Sequence, residues 1–105
     1  MKEITVEELK SMKDNKEDFQ LIDVRESFEY DIVNIGGELI PLNTIVHDPA
    51  QVSHERKTVI HCKSGARSAA AIQQLETKFG FTNLYNLKGG ILAWARQVDT
   101  SLPVY

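Results

Sequence analysis

Residues 58–80 read TVIHCKSGARSAAAIQQLETKFG. The first five, Thr58–Cys62, are β-branched or apolar and form the most strand-like run in the chain. A polar loop follows Cys62. From about Ala66 to Phe79 the spacing of Ala69, Ile72, Leu75 and Phe79 then predicts a long helix, with Gly80 as its left-handed stop. The small residues Ala66, Ala69 and Ala70 are expected to let that helix approach its sheet closely. A strand running through a short loop into a helix is half of a βαβ unit, so this segment points to an α/β fold.

The flanking sequence continues the alternation. Thr5 followed by Glu8 is a capping-box signature; it predicts a short helix carrying Val6, Leu9 and Met12 after an edge strand near Glu3–Ile4. Phe19–Val24 is a buried strand by its apolar content. Ser27 is placed to cap a helix running to about Val33, with Phe28 and Ile32 on one face, until Gly36 and Gly37 break it. Leu39–Leu42 reads as a short strand stopped at or just before Pro41. Thr44–Val52 reads as irregular, or as a brief helical turn around Pro49. Leu84–Leu87 is a last strand, and Gly89–Gly90 opens a final helix bearing Ile91, Leu92 and Trp94, the last a core residue. Strands alternating with helices over short connections imply a parallel sheet with helices on both faces.

The chain has 105 residues, 42% of them hydrophobic, so residues 1–105 are expected to form a single domain. A formal charge of −3 with 26% charged residues describes an ordinary soluble protein. Residues 1–31 hold 10 acids and 5 bases, and the remainder 5 acids and 7 bases. Neither part is a basic stripe of the kind nucleic acid demands. No apolar run approaches the roughly 20 residues that cross a bilayer, and no apolar signal region opens the chain. The single cysteine excludes an internal disulfide and a Cys-based zinc cluster. A reducing, cytoplasmic setting is expected.

That cysteine, Cys62, sits where an open α/β sheet binds its ligands, beyond the carboxyl end of a strand. The loop Lys63-Ser64-Gly65-Ala66-Arg67-Ser68 leads directly into the long helix. Free N–H groups and the dipole at a helix start favour an anion and lower the pKa of a thiol placed there. Gly65 permits the turn that gathers those amides, and Lys63 and Arg67 add positive charge. His61 is the neighbour of Cys62 along the strand, so its ring faces the opposite side and is read as packing. His47 and His54 are read as surface. No histidine pair has metal-ligand spacing, so no metal and no cofactor is expected. The loop itself must generate the thiolate.

Three segments, Leu21-Ile22-Asp23-Val24-Arg25-Glu26, Val59 through Ser68, and Leu87-Lys88-Gly89-Gly90-Ile91-Leu92-Ala93-Trp94, resemble in order and spacing the motifs of single-domain rhodanese-like sulfurtransferases. The resemblance implies a five-stranded parallel sheet. It also implies that Cys62 carries a persulfide between a donor, either a small anionic sulfur compound such as thiosulfate or a persulfidated cysteine desulfurase, and a nucleophilic acceptor. Lys63, Ser64, Gly65, Ala66, Arg67 and Ser68 would bind substrate. Asp23 would support the loop, and Arg25 would brace it or touch substrate. Arg25 and Glu29 are also spaced to pair with each other. Phe28 and Tyr30 are candidates for the pocket wall, Phe28 equally for the core.

Many members of that family carry Gly-His-Ile after the second strand, where this chain has Val33-Asn34-Ile35-Gly36-Gly37-Glu38-Leu39-Ile40-Pro41. This variant, with the Pro103–Tyr105 ending, resembles the rhodanese domain attached to adenylyltransferases of molybdopterin or thiamine sulfur transfer. An adenylyltransferase or a small sulfur-carrier protein is the partner so implied. Two alternatives stand beside sulfur transfer. Rhodanese-like folds also serve as non-catalytic binding modules. Cys-dependent phosphatases use Cys-x5-Arg, whereas Cys62 and Arg67 form Cys-x4-Arg, a smaller ring that suits one sulfur atom better than a phosphoryl group.

Overall fold

A computed structural model describes residues 1–105. Its elements alternate: β1 (Glu3–Ile4), α1 (Val6–Asp14), β2 (Phe19–Asp23), α2 (Ser27–Ile32), β3 (Glu38–Leu39), α3 (Leu42–Ile45), β4 (Lys57–His61), α4 (Ala66–Phe79), β5 (Leu84–Leu87) and α5 (Gly90–Gln97). The five strands form one sheet in the order β1-β5-β4-β2-β3, and every pairing is parallel. β4 lies at the centre, paired with β2 from Phe19↔Lys57 to Asp23↔His61 and with β5 from Thr58↔Leu84 to Ile60↔Asn86. The α/β reading and the five-stranded parallel sheet hold. No helix is long and apolar enough to cross a membrane.

Because β4 is central, both its faces are covered, and its alternating side chains feed two cores. Ile60 and Cys62 join Ala71, Ile72 and Leu75 of α4 and Ile45 of α3 on one face. Val59 joins Val6, Leu9 and Met12 of α1 and Ile91 and Trp94 of α5 on the other. α1 begins as expected: the Thr5 hydroxyl accepts from the Glu8 amide (3.1 Å), while Glu8 Oε1 accepts from the Thr5 amide (3.1 Å).

Several local expectations are corrected. α2 is capped at Glu26, whose amide donates to Glu29 Oε1 (3.0 Å), and not at Ser27. Its Phe28 and Ile32 do share a face, but that face points to solvent, with Phe28 58% exposed. β3 is shorter and earlier than expected, and the helical turn begins at Leu42, straight after Pro41. The face of α4 on the sheet is Ser68, Ala71, Ile72 and Leu75; Ala66, Ala70 and Phe79 are exposed. A run of three alanines gives no hydrophobic contrast, so the sequence leaves the rotational phase of this helix open by one residue.

Candidate active site

β4 ends at His61, so Cys62 is the first residue of the loop, and Gly65 is the N-cap of α4 at φ +115°. A glycine cap has no side chain to satisfy the third amide of the helix, a duty normally met by Ser, Thr or Asp. The Cys62 sulfur takes that place. Sγ accepts from the Gly65 amide (3.1 Å) and the Ser68 amide (3.4 Å), with the Ser68 hydroxyl at 3.3 Å. The loop carbonyls are meanwhile drawn outward by α5: Ile91 N donates to Cys62 O (3.0 Å) and Leu92 N to Lys63 O (3.1 Å). The Gly65 and Ser68 N–H groups therefore face the sulfur, while the Cys62 and Lys63 carbonyls are held by α5.

Burial pushes the Cys62 thiol up. The Ser68 hydroxyl and the amides of Ser68, Gly65 and Ser64 more than offset this, and the net shift is downward. Cys62 is only 1% exposed, with Lys63 and Ser64 exposed above it. Its sulfur is thus recessed, but among polar donors as well as apolar carbons. His61 lies on the opposite face and is fully buried; desolvation outweighs the nearby Asp23 carboxylate and keeps its pKa below the usual imidazole value. His61 Nε2 has no hydrogen-bond partner, Asp23 Oδ2 being 3.7 Å away. His47 and His54 are exposed, His54 stacked on Phe81.

The structure does not bring all the expected substrate-contacting residues together at the loop. Arg25 and Asp23 are both fully buried. The Arg25 guanidinium grips the Asp23 carboxylate through Nε (3.0 and 3.1 Å) and Nη2 (2.8 Å) and donates from Nη2 to the Val33 carbonyl (2.7 Å). With its fork committed and no solvent face, Arg25 braces the turn between β2 and the end of α2, the bracing alternative of the two expected for it. The Glu29 carboxylate pairs with Arg67 instead, Nη1–Oε1 2.6 Å and Nη2–Oε2 2.9 Å. That pair lowers the Glu29 pKa to about 2 and raises that of Arg67. Arg67 therefore ties α4 to α2. Lys63 is the exposed cation of the loop, its Nζ 5.3 Å from the Tyr105 ring centre. Tyr30 Oη donates to the Gly37 carbonyl (2.8 Å), and Trp94 is in the core.

One residue of the site was not anticipated. Asn86 of β5 is 5% exposed; its Oδ1 accepts from the Ser68 hydroxyl (2.5 Å) and its Nδ2 donates to the Gly65 carbonyl (3.2 Å). The available signal was an asparagine inside the apolar run Leu84–Leu87, where strands disfavour it. No group of three or more His, Cys, Asp or Glu side chains comes together to hold a metal ion.

Residues 5–97 match the profile of the family described as Rhodanese-like domain. "Probable adenylyltransferase/sulfurtransferase MoeZ" of Mycobacterium tuberculosis is 40% identical over 105 residues, covering 97% of this chain but 26% of that protein. This chain thus spans about a quarter of the length of that relative. A protein of Allochromatium vinosum named "Sulfurtransferase" is 37% identical over 95 residues, covering 90% of this chain and 88% of that one. A crystal structure of a rhodanese-like domain protein from Staphylococcus aureus superposes with a TM-score of 0.83 at 32% identity, covering 100% of this chain and 99% of that one.

Proposed function

The chain belongs to the rhodanese-like domain family, and from that membership and the geometry around Cys62 we propose that it is a sulfurtransferase carrying sulfane sulfur as a Cys62 persulfide. The single observation that supports this most directly is the set of donors from Gly65 and Ser68 converging on Sγ, with the Cys62 and Lys63 carbonyls engaged by α5 amides. Such a cradle stabilises a buried sulfur anion without a partnered base.

In the first half of the reaction the Cys62 thiolate attacks the outer sulfur of thiosulfate or of a protein persulfide. An S–S bond forms to Cys62, and the old bond's electron pair departs with sulfite or with the donor thiolate. In the second half a nucleophile removes the terminal sulfur and regenerates the thiolate, which gives ping-pong kinetics. Lys63 and the loop amides attract an anionic donor. Arg67, neutralised by Glu29, instead holds the loop in register. Its commitment to Glu29 and the short Cys-x4-Arg ring both weigh against phosphate-ester hydrolysis.

Protein partners are part of the proposal. The adenylyltransferase/sulfurtransferase relatives suggest a small sulfur carrier or an adenylyltransferase on the acceptor side, and a cysteine desulfurase is the corresponding donor. Beside Arg67 a cleft of about 580 Å³ opens between α3 and α4 over Val24, Leu42 and Val46, offering such a protein a foothold next to the loop. A reducing cytoplasm suits this chemistry, since it keeps the lone thiol available.

Intact-protein mass after incubation with thiosulfate tests the reading. A gain of one sulfur atom, absent in Cys62→Ser and discharged by cyanide as thiocyanate, is the expected result. No adduct and no thiocyanate would return the domain to a non-catalytic binding role.

A further inference from the structure

The Ser68 hydroxyl has one proton and three acceptors within reach. Its Oγ lies 2.5 Å from Asn86 Oδ1, 3.2 Å from the Gly65 carbonyl and 3.3 Å from Cys62 Sγ. A hydroxyl donates only once, so these contacts compete. The orientation of Asn86 is fixed independently, because the end facing the Gly65 carbonyl must be the NH2 donor, which leaves its oxygen on Ser68. Ser68 is fully buried and Asn86 nearly so, which keeps water from supplying the missing partner. The Gly65 carbonyl is the more distant oxygen and already accepts from the Ala69 amide (3.1 Å) and Asn86 Nδ2, and an uncharged sulfur is a weak acceptor, so both lose this competition to the Asn86 oxygen. A charged sulfur wins it, because ionic acceptors make the stronger bond.

We propose that Asn86 is a positioning residue of the Cys62 site, the alternate acceptor of the Ser68 hydroxyl's hydrogen bond whenever Sγ is uncharged. Its use in turnover rests on the sulfur-carrier reading above. When the thiolate attacks thiosulfate, a new S–S bond forms, the old one leaves as an electron pair on sulfite, and negative charge passes from Sγ to the outer sulfur. Sγ is then neutral, and the Ser68 hydroxyl turns to Asn86. As an acceptor removes the outer sulfur, the electron pair returns to Sγ and the hydroxyl turns back. No proton enters or leaves. Asn86 thereby favours the states with neutral Sγ, the thiol and the persulfide, over the bare thiolate, and lengthens the life of the persulfide.

The titratable and charged groups around the loop are Lys63, Arg67 with its partner Glu29, Asp23 with Arg25 at the end of β2, His61 on the far face and Lys88 beyond β5. None hydrogen-bonds Sγ or the Asn86 side chain.

The test is a double-mutant cycle of Asn86→Ala and Ser68→Ala, read by ultraviolet titration of the Cys62 thiolate. Asn86→Ala is expected to lower the titration midpoint by about one pH unit, a tenfold change in the thiol–thiolate ratio. In the Ser68→Ala background it is expected to change nothing. A midpoint that rises toward that of free cysteine, as a loop loosened at Gly65 would give, overturns the proposal; so does an equal shift in both backgrounds. If Asn86→Ala does not fold, Asn86→Ser, too short to reach the hydroxyl, completes the same cycle. The titration needs no sulfur donor, so failure to load sulfur counts against the sulfurtransferase reading and leaves this measurement to decide on Asn86.

Discussion

Cys62, Arg25 and Glu29 owe their behaviour to which partners a few ångströms away are already committed. Arg25 looks like a substrate cation in the sequence because it follows a strand end, yet its fork is closed on Asp23. Arg25→Ala strands a buried carboxylate and is expected to cost about 3–5 kcal/mol of stability, read as a lower urea midpoint. A substrate-contacting arginine would instead raise KM at an unchanged midpoint. Glu29 gives a pH signature. Its folded pKa, about 2, lies below its ordinary value of 4.5, so the stabilisation from Arg67 is complete above about pH 4.5 and is lost as pH falls toward 2. Glu29→Gln is expected to flatten the melting temperature across that interval. Because Arg67 is about a third exposed, solvent screening limits the effect.

Among the elements, α4 and α5 together make the loop what it is. α4 offers its first amides to the sulfur, and α5 withdraws the carbonyls that would repel it. Gly90 makes this approach possible: it sits at φ +60°, and a Cβ there would lie within 2.6 Å of the Cys62 carbonyl oxygen and closer still to that of Lys63. Gly90→Ala is expected to cost at least about 1–3 kcal/mol from overpacking, measured by thermal unfolding, and to lower sulfur loading at a given thiosulfate concentration. The capping box of α1 and the stop of α4 at Gly80 were legible because each is written in adjacent residues. The exposure of Phe28 and Ile32 was not, since helical spacing says which residues share a face but not what that face meets.

Across the whole molecule, a sheet buried on both sides couples two cores through β4. Leu75 packs on one face and Trp94 on the other. Leu75→Ala is expected to cost about 2–5 kcal/mol. If residues 1–105 fold as one unit, Trp94 fluorescence and far-ultraviolet circular dichroism will report the same lowered midpoint; separate midpoints would mean that the two faces unfold independently.

The amino-acid sequence by itself determined the alternation of strands and helices, the parallel sheet, and the placing of Cys62 at a strand end before a glycine-containing loop that opens the long helix. These follow from local periodicity, chain connectivity and the positions of Gly65 and Gly80. Only the tertiary structure decided how the polar side chains pair: Arg25 with Asp23, Glu29 with Arg67, and Asn86 with Ser68 and Gly65. The reason is physical. A buried donor or acceptor must find a partner in three dimensions. Arg25 closes on Asp23, two residues away, while Arg67 of a distant helix takes the Glu29 carboxylate, and Asn86 meets Ser68 and Gly65 only because β5 packs beside α4.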